Sequence, residues 1–172
     1  MDNKIAAVLG NGPSRKSYDP SKEYDYRIGC NVPWTDVDCT VIIDTEIVRL
    51  WKLDPDLIKC PAYFSGRAWE YAGDTHVRGI IYGRDAFKGI VDKQDNDSSA
   101  NMAARILIRD GYKNIDIYGC DAYFTEQHGY NTKSFTRTIL PTMPALNNSY
   151  KWKLSWDDMV KKHPDVNFNF IR

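Results

Sequence analysis

Five consecutive residues, Gly10-Asn11-Gly12-Pro13-Ser14, follow an apolar run and have the make-up of a ligand-cradling turn. Gly10 and Gly12 lack a Cβ, so the backbone there can bend sharply and come close to a bound group. Asn11 and Ser14 add side-chain hydrogen bonds. If a helix follows, its unpaired leading N–H groups and the positive end of its dipole favour phosphate. An ordinary tight turn accounts for the same residues. The loop is not a Walker loop, since no Gly-Lys-Ser/Thr follows, and it lacks the third glycine of a G-x-G-x-x-G fingerprint.

Polar residues recur at the same relative place after three other apolar runs. Asn31 follows Ile28-Gly29-Cys30, Asp44 follows Val41-Ile42-Ile43, and Asp121 follows Tyr118-Gly119-Cys120, with Tyr123 two residues on. Ser98 and Ser99 open a helical stretch and can supply a second anion-binding N-terminus as well as a cap. Each of these residues singly fits the cap of a following helix. Together they fit a crevice, because ligands of open α/β sheets bind outside the carboxyl ends of the strands.

That convergence requires a parallel sheet, and the chain has the pattern of one. Short apolar runs alternate with helical stretches, as in sheets covered on both faces. Residues 4–9 (KIAAVL) form a near-continuous apolar run, the mark of a strand buried on both sides. Residues 24–30 and 39–43 read as further strands, with 62–65 and 79–82 (GIIY) as weaker ones. From Asp97 or Ser98, the residues Ala100, Ala103, Ala104, Leu107 and Ile108 recur at helical spacing, and Gly111 ends that helix. Residues 114–118 (NIDIY) follow as a strand, 154–162 as a helix, and 166–171 as a last strand at an edge. The segment 124–150, rich in Thr, Asn and Pro, reads as a flexible lid or flap on a single domain spanning 1–172. The expectation is an α/β, Rossmann-like, mostly parallel sheet with helices on both faces.

Composition narrows the partners. With 172 residues, 42% of them hydrophobic, the chain can build one core. A domain of this size buries roughly 70% of the surface that its unfolded form exposes. Lysine and arginine number 23 and so do the acidic residues, with no basic run, so neither nucleic acid nor an anionic membrane is an expected partner. The chain starts with no charged leader followed by a long apolar run, and no segment approaches the ~20 apolar residues that span a bilayer. Cys30, Cys39, Cys60 and Cys120 form no CxxC pair or zinc spacing and read as core or near-core thiols. A soluble, reduced, cytoplasmic protein is expected, and a homo-oligomer is compatible with all of this.

The segments VLGNGPS, YRIGCN, VIID and SSANMAARILIRDGYKNIDIYGCDAYF, in that order, resemble bacterial sialyltransferases of the Campylobacter type and the wider group of glycosyltransferase-like proteins with a GNGPS loop. The resemblance runs from about Lys4 to Tyr130, with little similarity between Trp51 and Asn96. It implies a Rossmann-like sheet with a flexible lid, a CMP-sialic acid donor and no metal or other cofactor. It also implies that Asn11, Gly12 and Ser14 contact the donor nucleotide and its phosphate. Asn31 matches the asparagine of the family's Arg-Cys-Asn element, although here Gly29 replaces the arginine. Asp44 stands where the family has a donor-contacting asparagine. Ser98 and Ser99 match a Thr-Ser pair at the donor site, and Gly119 and Asp121 match a strand end that binds cytidine or ribose. Tyr123 and Tyr130 resemble tyrosines that bind the donor phosphate and help it leave.

One departure bears on catalysis. The family's general base is a histidine before the last helix, where this chain has Pro144-Ala145-Leu146-Asn147-Asn148-Ser149-Tyr150. Of the three histidines, His163 precedes Pro164 in a helix-ending turn, and His76 lies in the poorly matched region. His128, in the presumed lid beside Tyr130, is the substitute base, since an imidazole titrates near neutrality. Three readings follow. The first is a metal-independent glycosyltransferase using a CMP-sugar or another nucleotide-sugar and a hydroxyl acceptor. The second is Mg²⁺-dependent pyrophosphoryl transfer, as in pterin-pyrophosphokinase-like proteins with a similar loop, with Asp44 and Asp121 on the metal. The third is a nucleotide-binding module without catalysis.

Overall fold

An apolar run with no alternation belongs inside a parallel sheet, where both faces are covered, and Ile5–Leu9 (β1) lies there, with all but Ile5 buried. The computed structural model describes residues 4–94, 96–124 and 149–172. The other strands are β2 (Tyr26–Cys30), β3 (Cys39–Ile42), β4 (Ala62–Ser65), β5 (Phe87–Val91), β6 (Asn114–Tyr118) and β7 (Asn167–Phe170). All seven pair in parallel in the order β5-β4-β3-β2-β1-β6-β7. The chain therefore winds outward from β1 to β5, returns across the sheet and continues on the other side of β1. The strand order reverses between β1 and β6.

Side chains alternate across each strand, and the two faces are covered differently. Ala6 and Val8 of β1 join Ile28, Val41, Ile115 and Ile117 under the helices α4 (Ser99–Arg109) and α5 (Ser149–Lys162), which contribute Met102, Ile106, Leu107, Trp156 and Met159. On the other face, α1 (Thr45–Leu53), α2 (Gly66–Asp74) and α3 (Arg78–Gly83) cover the β3–β5 half, where Trp51, Phe64 and Ile81 are fully buried. Helices thus lie on both faces, as the alternating pattern led us to expect.

The remaining quarter of the sheet is covered by rings. Ala7, Leu9 and Tyr118 pack against Tyr18, Tyr24 and Trp34. Beside them, Asp116 on β6 is 6% exposed. It accepts hydrogen bonds from Lys22 Nζ (2.6 Å), Tyr24 Oη (2.7 Å) and Asn169 Nδ2 (2.9 Å). Burial pushes its carboxyl upward, but these donors outweigh burial and hold it below the usual carboxylate range.

Two expectations about elements need correction. Residues 79–82 are not a strand but the body of α3, in which only Ile81 is buried. Val77, four residues earlier, is buried as well, and that is helical spacing. The neighbouring strand is β5, over residues for which no strand was expected. The helix placed at 154–162 begins at Ser149, a turn and a half earlier. The strand at 166–171 is an edge strand, as expected. Most of the 124–150 segment lies outside the described residues, and among those described no helix is long and apolar enough to cross a membrane.

Candidate functional site

In open parallel sheets the crevice forms at the carboxyl ends of the strands where their order reverses, here between β1 and β6. The two exits touch backbone to backbone. Gly10 N donates to Tyr118 O and Gly12 N to Gly119 O, each at 2.8 Å. A Cβ on Gly12 would stand 2.2 Å from Asp121 Oδ2 and 2.6 Å from Gly119 O. One on Gly119, whose φ is +65°, would stand 2.2 Å from Gly10 O. Close approach between two strand exits therefore demands these glycines, whatever else binds there.

Ser14 and Asp121 lock the exits together. Ser14 N donates to Asp121 Oδ2 at 3.1 Å and the Ser14 hydroxyl donates to the same oxygen at 3.0 Å, while Gly119 N donates to Ser14 Oγ at 3.1 Å. The helix expected after the loop is a five-residue 3-10 turn, Pro13–Ser17. Its leading amide already faces the carboxylate of Asp121. The position that a phosphate would take at Ser14 is thus filled by a side chain of the protein itself.

Further along the rim, Asn11 is buried, and its Nδ2 donates to Cys30 O (2.9 Å), which ties the loop to the exit of β2. Asn31 adopts a left-handed φ of 53°. Its Nδ2 donates to Asp44 Oδ2 (2.8 Å), and its Oδ1 accepts from Ile43 N (3.3 Å). Burial pushes the Asp44 carboxyl up, against the Asn31 hydrogen bond and the charges of Lys93 and Arg67. Asp44 precedes α1 without capping it through its side chain. It opens onto a shallow pocket with Thr45, Glu46 and Arg67.

A cleft opens between these exits and two helices. Its β1 side is Gly10, Asn11 and Gly12, and its β6 side is Gly119, Cys120 and Asp121. Cys30 also lines it, as do Ser98, Ser99 and Ala100 at the start of α4, and Trp152 and Trp156 on α5. Ser98 caps α4 in a box with Asn101, so that start is rigid. Burial pushes the Cys30 thiol up to about 12, opposed by a hydrogen bond with Ser99, and the buried Cys120 thiol is raised well above its ordinary value. Both thiols are therefore neutral. The lining so described holds one carboxylate and no lysine, arginine or histidine among the described residues.

Of the residues singled out in the sequence, the structure brings Asn11, Gly12, Ser98, Ser99, Gly119 and Asp121 to this cleft. Ser14 is bonded to Asp121 of its lining, while Asn31 is bonded to Asp44, which faces the neighbouring pocket. Tyr123 is not among the lining residues. Its ring stacks on Phe170 at 3.6 Å with a 4° tilt, and the Lys153 ammonium lies 5.5 Å from the ring centre. His128 and Tyr130 lie outside the described residues. His76 is exposed, and His163 closes α5. Sequence reasoning missed the wall made by Trp152 and Trp156, although their i,i+4 spacing places them on one helix face. It had the helix start after Trp152. The four thiols are free, with Cys30, Cys39 and Cys120 buried and Cys60 partly so. Among the described residues, no group of three or more His, Cys, Asp or Glu could hold a metal ion.

The chain matches no protein-family model, and no curated protein or solved structure matches it.

Proposed function

We propose that this chain binds a nucleotide-sugar, with a CMP-sugar as the leading candidate, and transfers the sugar to a hydroxyl acceptor in the cytoplasm without a metal ion. The observation that carries this reading is the meeting of two strand exits, a helix start and a tryptophan wall around one cleft at the switch point. Trp156, buried against Phe170, backs the cleft, and Asp121 retains lone pairs for ribose hydroxyls. Since Asp121 fills the anion position at Ser14, the phosphate belongs at the first amides of α4, where the helix dipole favours it.

In the transfer step the acceptor oxygen gives its proton to a base and bonds to the anomeric carbon, while the bond from that carbon to the phosphate oxygen breaks. His128 as base and Tyr130 as donor to the departing phosphate rest on the family resemblance; Tyr123, stacked on Phe170 outside the lining, would have to leave that ring to join them. Asp121 serves as ribose ligand and not as base. No observation favours metal-dependent pyrophosphoryl transfer, since Asp44 and Asp121 open onto different pockets. A module that binds without catalysis would use the same cleft and differs only in lacking turnover.

Thermal shift with CMP, CDP, UDP, GDP and ATP, each with and without Mg²⁺, tests the reading, because a ligand that binds only the folded state raises the midpoint. A rise with CMP that needs no Mg²⁺ supports it, and release of CMP from a CMP-sugar in the presence of an acceptor completes it. If none of the five nucleotides moves the midpoint, the cleft is not a nucleotide site.

A further inference from the structure

Asp97 immediately precedes the cap of α4, its side chain is wholly buried, and it does not line the cleft. Three parts of the chain meet on its carboxylate. Arg105, two turns into α4, holds it from both sides, Nε to Oδ2 at 2.9 Å and Nη2 to Oδ1 at 3.2 Å. Gln94 N donates to Oδ2 at 3.3 Å. From α5, the Ser155 hydroxyl donates to Oδ1. Ser155 lies next to Trp156 and three residues after Trp152, the two residues through which α5 lines the cleft. Asp97 likewise lies next to Ser98, Ser99 and Ala100, through which α4 lines it.

We propose that Asp97 is a positioning residue that sets the width of the cleft by fastening its two helical walls to each other through Ser155. An apolar contact at this place would hold the helices together but tolerate sliding. A buried carboxylate with directed donors does not, because a small displacement leaves it unpaired in a dry interior. The floor of the cleft supplies the reporter. Cys30 and Cys120 line the cleft with the two tryptophans, whereas Cys39 begins β3, at the strand end away from the exits, and Cys60 stands before β4. The inference rests on reading the cleft as a ligand site, and the thiols test it without any ligand.

Ser155→Ala removes only the α5 arm and leaves the carboxylate paired with Arg105, so the variant folds. Alkylation of the native full-length chain by iodoacetamide, resolved by cysteine, is then compared with wild type. The expected result is labelling of Cys30 and Cys120 faster by roughly tenfold, as for a local opening, with Cys39 and Cys60 unchanged. Ser155→Thr, which keeps the hydroxyl, returns the slow rates. CMP affinity should fall about three- to tenfold in Ser155→Ala and recover in Ser155→Thr. An equal rise at all four cysteines, tracking a lower thermal midpoint, would mean plain loss of stability and overturns the proposal, as does no rise at all. Should wild type bind no nucleotide while the selective labelling holds, the nucleotide reading fails and the latch stands.

Discussion

The β3–β5 core and the exits of β1 and β6 are held by different physics. Around β3–β5, Trp51 and Trp69 each pack on Phe64, with ring centres 6.2 and 5.1 Å away. That burial is strong but indifferent to small shifts. Around β1 and β6 the exits are joined by backbone hydrogen bonds at 2.8 Å and by the Ser14–Asp121 lock. These contacts bury less apolar surface and fix positions far more narrowly. Apolar packing stabilises both halves; the lesson is that the exits of β1 and β6 add to it a geometry fine enough for a site.

Substitutions that damage one half and spare the other test this difference. Phe64→Ala should cost about 3–5 kcal/mol in denaturant unfolding, yet leave ligand affinity of the folded fraction within about twofold. A matching loss of affinity would show that the halves are coupled. Gly119→Ala should cost about 1–3 kcal/mol by overpacking, with added strain from its positive φ. It should abolish binding, because the new Cβ drives the exits apart. Retained affinity there would detach the site from the β1–β6 contact.

A pH series sharpens the comparison on the ring-covered quarter. Asp116 is held below the usual carboxylate range, so its stabilising contribution is complete above the unfolded value of about 3.9 and is lost as pH falls through the lower folded value. Asp116→Asn should flatten this acid limb in thermal melts and lower the midpoint at neutral pH. Asp44 has the opposite sign. Burial raises its carboxyl, so the fold binds a proton more readily than the unfolded chain, and stability declines as pH rises from about 3.9 towards the raised value. Asp44→Asn keeps an acceptor for Asn31 and should leave the neutral-pH midpoint unchanged or up by a degree or two. A clear drop would mean that the ionised form is needed where it stands.

The fold was legible wherever one signal dominated. β1 reads as a doubly buried run, α4 as an apolar stripe between a serine cap and a glycine stop, and β6 as the strand that follows. Residues 79–82 misled because Gly-Ile-Ile-Tyr combines apolar and β-prone side chains in a stretch too short to show a period. β5 was hidden because its exposed face carries the apolar Ile90 and its inner face Gly89, so the residue types do not alternate although the burial does. At the site, residue types marked the strand ends, but nothing local in the sequence says that β1 pairs with β6. What the glycines contact was not legible: they were read as room for a ligand, and the structure shows them also making room for each other. That contact joins segments more than 100 residues apart, beyond the reach of any local pattern.

The mutual fit of Gly10, Gly12 and Gly119 has an evolutionary consequence. A clash between side chains can be relieved by trimming the partner, so such positions drift in pairs. Here the obstacles to a new methyl group include main-chain carbonyls, which every amino acid carries. No second-site exchange of side chains removes them. Lineages descending from this chain are free to re-engineer the tryptophan wall or the Ser14–Asp121 lock, while the glycine seam leaves them nothing to trade.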